Sequence, residues 1–549
     1  MTPPLTTTPR GIRLILMAVP PAMGLLALLL GQDASWDLRN YHFYNPFAFL
    51  TGRMGYDVGP AQVATYYNPL MHLPFYFAVT NLPPRLVAFG LGCLQGTNIF
   101  LLYGIAVRMI GPSSDSRDRW LCLITAILGI LGATNIAETG TSYGDNLLSI
   151  PVLFSLFLIM DRFHRLGSPG STGLLIAAAA GLAAGCAAGL KQPFAVYAVG
   201  MCLAFFGLSL PLKRRFELAF CFGLGVLAGM ALTGGFWLLE MWRRYANPLF
   251  PYFNQFFRSS WGSPESYRDM RFLSSDPLIQ LLFPVWINLN PLQVGEVAFR
   301  DLRLSILYVL LIILLGKKLV QPGKQPAVSG DAESTSRNRF LLLFVVVSFL
   351  IWMKLFSVYR YIIICDFLAP LTILAVLGML VAKRDRQVRL ALGCFIVILA
   401  LLVPGDWGRR PFSSDYFGVR PPALGHPSNT LVLSAGYDPM AYMIPFFPPE
   451  VRFLRIHSYL TGPSAHPNGL DEQMRAIVRE HSGDMYLLVR SYEKAAARRA
   501  VQFHGLEIDD RYCRTFTPHV EPQQEHPFCF CPVVKTAGAG PPPSVKERG

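Results

Sequence analysis

The chain has 549 residues, of which 52% are hydrophobic and only 15% charged, with a net charge of +14 and a mean hydropathy of +0.38. Soluble globular domains carry about 25% charged residues, so the deficit points to lipid as the solvent. The positive charge does not mark a nucleic-acid binder. The basic residues punctuate the apolar runs instead of forming one patch, and no nucleic-acid partner is expected.

A helix that crosses a bilayer needs roughly 20 apolar residues. About eleven runs approach that length, at 11–31, 84–108, 119–136, 145–160, 172–190, 193–211, 216–239, 303–316, 340–356, 361–382 and 390–404. The first starts at Arg10 and Arg13, contains Pro20 and Pro21, and lacks a small-x-small cleavage site after it, so it reads as a retained span and not a secretory signal. The stretch 66–80 is broken by Pro69 and Pro74 and reads as re-entrant or interfacial.

With the N-terminus in the cytoplasm, every inner connection is basic: Arg108, Arg117 and Arg119; Arg162 and Arg165; Lys213, Arg214 and Arg215; Lys317, Lys318, Arg337 and Arg339; Lys383, Arg384, Arg386 and Arg389. Residues 137–144 hold no Lys or Arg, and the tight turn 191–192 holds only Lys191. The positive-inside rule selects this orientation. The expected fold is an all-α polytopic membrane bundle in a bacterial-type inner membrane, with a small extracytoplasmic α/β domain at its C-terminus. The domains expected are 1–404, including outer loops 32–83 and 240–302, then 405–535, then a disordered tail 536–549 with three prolines at 541–543. Residues 321–338 read as a polar linker of low order.

Within the tail, 429–436 and 485–491 read as strands, and 471–480 and 492–503 as helices. Seven cysteines lie in or beside apolar runs and act as small apolar side chains. Cys513, Cys529 and Cys531 lie in the polar tail, where Cys513 could pair with Cys529 or Cys531.

The first outer loop carries the densest chemistry. Residues 33–57 contain Asp33, Asp37, Arg39, Tyr41, His42, Tyr44, Asn45, Tyr56 and Asp57. Helical spacing from Asp37 places Tyr41, Tyr44 and Ala48 on one face, an interfacial helix presenting a carboxylate at a membrane surface. An aromatic belt with incidental charges is the plainer alternative. The ordered set Asp37-x3-Tyr41, Ala48, Leu50, Gly52, Tyr56-Asp57 and Tyr67-x-Pro69-Leu70 resembles the opening of the GT-C superfamily of membrane glycosyltransferases. It is most similar to the bacterial branch that uses polyprenyl-phosphate-mannose. That motif covers about 35 residues, and the topology likeness covers most of the chain.

The resemblance implies inverting transfer of a sugar from a polyprenyl-phosphate donor to an extracytoplasmic glycan, lipid or protein acceptor. It also implies a first-loop carboxylate that takes the acceptor proton, a role suited to a desolvated acid. Asp37 is the first choice for that base, Asp33 the second and Asp57 the third. Arg360, Tyr361 and Pro370 are similar to a segment that contacts the lipid phosphate in such enzymes, and Lys354 and Lys191 join them as donor-phosphate ligands. A snorkelling Arg360 among interfacial tyrosines and a Lys191 that reaches water are the alternatives. Glu138 and Asp145, with Tyr41, His42 and Tyr44, are expected at the acceptor or sugar. Related enzymes hold the acceptor or a divalent cation with acids in such a turn, whereas an Asp145–Asn146 N-cap is the structural alternative. His42 and His72 could complete a cation site with Asp37, so the metal question stays open here.

No P-loop, GxSxG, HExxH or dinucleotide fingerprint occurs, which argues against an ATP-driven pump or a soluble-type hydrolase. A polymerase, ligase or flippase for lipid-linked sugars would draw on Arg243, Arg244, Arg258, Arg268 and Arg271 of loop 240–302. A secondary transporter would keep charges at mid-membrane, whereas nearly all charges here lie at the span edges. Glycine patterns such as 90–96 read as helix-packing surfaces.

Overall fold

The computed structural model describes residues 8–110, 115–265, 267–320, 332–464 and 467–536. The chain packs into two compact units. A helical unit takes residues up to Leu30, Ala88–Gly235 and Asp269–Trp407, and a mixed unit takes Gly31–Val87, Phe236–Arg268 and the chain from Gly408 onward. Loop 32–83 and the first half of loop 240–302 are therefore built into the same body as the C-terminal sheet.

Among the described residues, six helices are long and apolar enough to cross a membrane: Arg10–Leu30, Pro84–Ile110, Thr172–Leu190, Leu212–Tyr245, Glu333–Leu355 and Tyr359–Leu380. The count is six where the hydropathy pattern suggested about eleven. The other runs also form helices, at Ser116–Ile130, Asp145–Asp161, Gln192–Gly207, Arg303–Val320 and Arg384–Ala400. Helices of 15 and 17 residues rise about 22–26 Å at 1.5 Å per residue, short of a ~30 Å hydrocarbon core. The run 119–136 is interrupted at Leu131 and Gly132, and Arg303, Lys317 and Lys318 charge both ends of Arg303–Val320. Part of the expected linker, from Ala332, is the start of the helix Ala332–Leu355, while 321–331 and the tail from 537 lie outside the described residues.

Glycines set the closest helix contacts. A Cβ on Gly181 or Gly185 would stand 2.0 Å from the Phe222 carbonyl oxygen or 2.2 Å from that of Val226. In return, a Cβ on Gly225 or Gly229 would stand 2.1 Å from the Ala178 oxygen or 2.2 Å from that of Leu182. The four-residue spacing on both helices lets backbone meet backbone, the packing mode of helices that gain little from hydrophobic burial in lipid. Gly92 and Gly96, of the glycine-rich run 90–96, meet Met23 and Pro20 in the same way.

The mixed unit centres on a twisted sheet. Thr430–Ala435 lies between Arg452–His457 and Asp484–Arg490, parallel to both. Phe528–Lys535 then runs antiparallel to Asp484–Arg490 and carries Leu506–Ile508 and Arg514–Phe516 along its other pairings. The two expected strands and two expected helices are all present, the helices as Gly469–Glu480 and Lys494–Phe503. Their apolar faces bury Leu470, Met474, Val478, Ala497, Ala500 and Val501 on the sheet. Cys513 pairs with Cys531, and Cys529 is a free buried thiol.

The first loop is part of this unit's framework. Gln32–Asp33 forms an antiparallel ribbon with Arg409–Arg410, and Val58 bridges Leu454 at the sheet edge. Buried Glu521 receives Arg39 Nη1 at 2.6 Å, the Tyr442 hydroxyl at 2.6 Å and the Arg490 guanidinium. Two cations and a phenol satisfy one buried carboxylate, which is what makes its burial affordable.

Candidate functional site

Five of the residues selected from separate parts of the sequence, Glu138, Asp145, Lys191, Arg360 and Tyr361, meet in the helical unit. The turn between Ser116–Ile130 and Asp145–Asp161 folds inward on a short helix, Ala133–Glu138. Gln95 pins it: its Oε1 accepts from Gly140 N at 2.7 Å, and its Nε2 donates to the Glu138 and Thr141 carbonyls. Asn98 Nδ2 donates to Asn146 O at 2.8 Å, and Asn146 Nδ2 to Asn135 Oδ1 at 2.8 Å. Gly140 must be glycine here. Its φ is +76°, and a Cβ would stand 2.4 Å from the Ala27 methyl.

The clamped turn presents Glu138, Tyr143 and Asp145 to two cations from elsewhere. Lys191 Nζ lies 2.6 Å from Asp145 Oδ1 and 3.4 Å from Tyr143 O. Arg360 stacks over the Tyr143 ring at 4.0 Å, and Lys191 sits 5.0 Å from the Tyr361 ring. The Tyr197 hydroxyl donates to Tyr361 O at 2.6 Å and accepts from Ile364 N at 3.2 Å, which holds the Arg360–Tyr361 turn in place. Asp145 does not cap its helix. Gly144 occupies the cap position with φ +75°, and the Asp145 carboxylate is committed to Lys191. Lys191 is only 12% exposed, so it serves the cluster and does not simply reach for water.

Glu138 is fully buried, and neither carboxylate oxygen accepts from an N–H or O–H donor. Burial first, and the facing Asp145 second, push its carboxyl well above the usual range, against the pull of Arg360 and Lys191. The raised carboxyl favours the neutral form of Glu138 beside the two cations. Lys354 stands apart: it is exposed and hydrogen-bonds Gln280.

The remaining first-loop residues lie in the mixed unit. Asp37 is half-buried at the head of a π-helical turn, Leu38–His42, followed by the α-helix Tyr44–Leu50. The wider π turn breaks the α period, so Tyr41 and Tyr44 do not share one face as the spacing suggested. Tyr41 packs edge-on to His42, Tyr67 and His72, with His42 and His72 stacked at 4.0 Å. Tyr44 donates instead to Asp57 Oδ2 at 2.9 Å. Asp57 also takes both Arg53 nitrogens, at 2.7 and 2.8 Å, and Phe453 N at 2.9 Å, a fully used structural carboxylate. Asp33 is fully buried, with Oδ1 on Ser35 N at 2.9 Å. No group of three or more His, Cys, Asp or Glu side chains among the described residues is placed to share a metal ion.

A second buried charge cluster escaped the hydropathy reading, which placed charges at span edges. Fully buried Arg303 lies 3.4 Å from Asp301 and donates to Gly129 O at 3.0 Å, while Asp366 accepts from Thr134 at 3.5 Å. Asp301 also caps Ala133 N at 3.0 Å, which ties this cluster to the base of the Glu138 helix. The signal was Asp366, the sole charge in the run 361–382. No protein-family model and no curated protein matches the chain.

Proposed function

We propose that the protein is a multi-pass inner-membrane glycosyltransferase of the GT-C kind, moving a sugar from a polyprenyl-phosphate donor to an extracytoplasmic acceptor. The N-terminus is cytoplasmic and the C-terminal domain extracytoplasmic. The observation that carries the reading is the convergence of Lys191 and Arg360 on the buried Glu138–Asp145 turn, where burial favours the neutral form of Glu138. A polyprenyl-phosphate sugar is a phosphodiester with a single negative charge, and two cations beside a carboxyl that favours its neutral form suit it. A guanidinium and an ammonium donate to the non-bridging oxygens, while Tyr143 and Tyr361 offer faces to the cations and the glycosyl ring.

Transfer then needs a base for the acceptor hydroxyl. Asp37 fills that role: it is half-buried at the head of a π turn, a rare helix form concentrated at functional sites. The acceptor oxygen attacks the anomeric carbon as the glycosyl–phosphate bond breaks, a carboxylate base takes the proton, and polyprenyl phosphate departs with inverted sugar configuration. The added negative charge on the departing phosphate falls on Arg360 and Lys191. In proteoliposomes supplied with a labelled polyprenyl-phosphate hexose, Asp37→Asn is expected to lower transfer by about 10²–10⁴-fold while Asp33→Asn, if it folds, retains it. Unchanged transfer in Asp37→Asn removes Asp37 from the reaction.

One observation favours a second reading. The Asp301–Arg303–Asp366 cluster is the kind of buried charge that a transporter uses. Proton uptake coupled to solute movement, absent any sugar transfer, would select it. The arginine-led polymerase reading draws less support, because Arg244 is engaged by Glu240 and Arg271 by Asp269.

A further inference from the structure

The mixed unit contains a cleft of about 210 Å³ that the transfer chemistry leaves unused. Its wall is aromatic: Tyr66, Trp237, Tyr245 and Trp261 line it together with Met241 and Leu470. These rings are fixed. Trp237 Nε1 donates to Tyr66 O at 2.8 Å, Tyr245 stacks on Phe250 at 4.4 Å, and Trp261 meets Tyr245 edge-on at 5.8 Å. Gly469 N donates to Ser260 O at 2.8 Å, and a Cβ on Gly469 would stand 3.0 Å from the Trp261 ring, so the indole lies against bare backbone.

The rim is polar and neutral overall. Glu240 and Arg244 form an ion pair whose side chains are 34% and 39% exposed, and Arg244 Nη1 also holds Met54 O at 2.6 Å. Gln473 faces the same cleft from the helix Gly469–Glu480. A Cβ on Gly55 would stand 2.4 Å from Arg244 Nη1, so the loop closes on the guanidinium only because that residue is glycine.

These features narrow the ligand. A purely apolar ligand would strip water from Glu240 and Arg244 and give nothing back. An ionic ligand would find no surplus of opposite charge, since the pair is self-neutralised. The volume lies below that of drug-sized pockets. A neutral ring with an apolar C–H face and a hydroxylated edge satisfies both wall and rim. We propose that this cleft binds one neutral pyranose ring of a saccharide, its C–H face on the Trp261–Tyr245 wall and its hydroxyls on Glu240, Arg244 and Gln473.

The proposal extends the transferase reading without depending on it, because sugar binding here needs neither donor nor transfer. The test uses full-length protein in lipid nanodiscs and saturation-transfer NMR with the methyl pyranosides of glucose, galactose, mannose and N-acetylglucosamine. At least one is expected to bind, with Gln473→Ala and Glu240→Gln each weakening binding by about tenfold. Trp261→Ala should weaken it further, whereas Arg360→Ala should leave it intact. Absence of signal from all four pyranosides overturns the proposal. So does binding unaffected by Gln473→Ala and Glu240→Gln, and binding lost in Arg360→Ala would relocate the sugar to the helical unit. A transfer-dead protein that still binds the pyranoside would retain this site and remove only the transferase reading.

Discussion

Glu138 is the residue on which the electrostatics of the helical-unit site turn. A buried carboxyl with no donor on either oxygen, facing Asp145, is pushed above the usual carboxyl range and favours its protonated form. The neutral acid leaves more of the charge of Lys191 and Arg360 for a phosphodiester. Raising the pH through its elevated range removes the proton and sets a negative charge beside those cations. The KM for a polyprenyl-phosphate sugar should therefore rise with pH in the wild type and stay flat in Glu138→Gln, which is neutral throughout. A pH profile shared by both proteins would detach Glu138 from donor binding. In the sequence, Glu138, Asp145, Lys191 and Arg360 were visible one at a time as polar residues at span ends. Their meeting was not, because it depends on Gln95 and Asn98, two amides inside an apolar run that fold the turn inward. Asp57 shows the converse: its sequence position suggested a base, but Arg53, Tyr44 and Phe453 N use up its oxygens.

At the scale of elements, the helical segments were legible because long apolar runs have few alternatives to helix in lipid. Their lengths were less so. The run 119–136 gave no hint that the chain turns at Gly132, where a Cβ would meet Arg303 at 2.6 Å. The strands 430–435 and 484–490 announced themselves by runs of β-branched and apolar residues, whereas Phe528–Lys535, with Pro532 and Lys535 disfavoured in strands, did not. The π turn at Leu38–His42 could not be read from periodicity, and it redirects Tyr44 from the expected face to Asp57. The glycine spacing was read correctly as packing. Gly185→Leu should push Thr172–Leu190 away from the Val226 backbone and cost about 1–3 kcal/mol or more, seen as a lower midpoint for thermal unfolding in detergent. A midpoint equal to wild type would mean that these helices do not pack through glycine.

At the scale of the molecule, the chain interleaves its two units, crossing between them at residues 30–31, 87–88, 235–236, 268–269 and 407–408. Sequence composition shows one change from apolar to polar near 405, so it could not reveal that loops 32–83 and 240–268 fold with the tail. That grouping rests on long-range pairings such as Val58 with Leu454 and Arg39 with Glu521. The mixed unit also carries a titration signature. Burial, reinforced by nearby Arg475, lowers His504 from 6.5 to about 4. Because the folded value lies below the unfolded one, this stability is present above pH 6.5 and is lost as pH falls toward 4. The loss is on the order of 3 kcal/mol. Hydrogen exchange of Leu506–Ile508 should accelerate across that window in the wild type and less steeply in His504→Gln; identical pH dependence in both would assign the effect elsewhere.

The most direct test of donor binding by Lys191 and Arg360 is single-turnover transfer from a labelled polyprenyl-phosphate hexose by reconstituted protein, with Lys191→Ala and Arg360→Ala beside the wild type. Wild-type protein is expected to transfer with inversion at the anomeric carbon, and each correctly inserted variant to lose about 10²-fold or more. Transfer that proceeds equally well in both variants would contradict it.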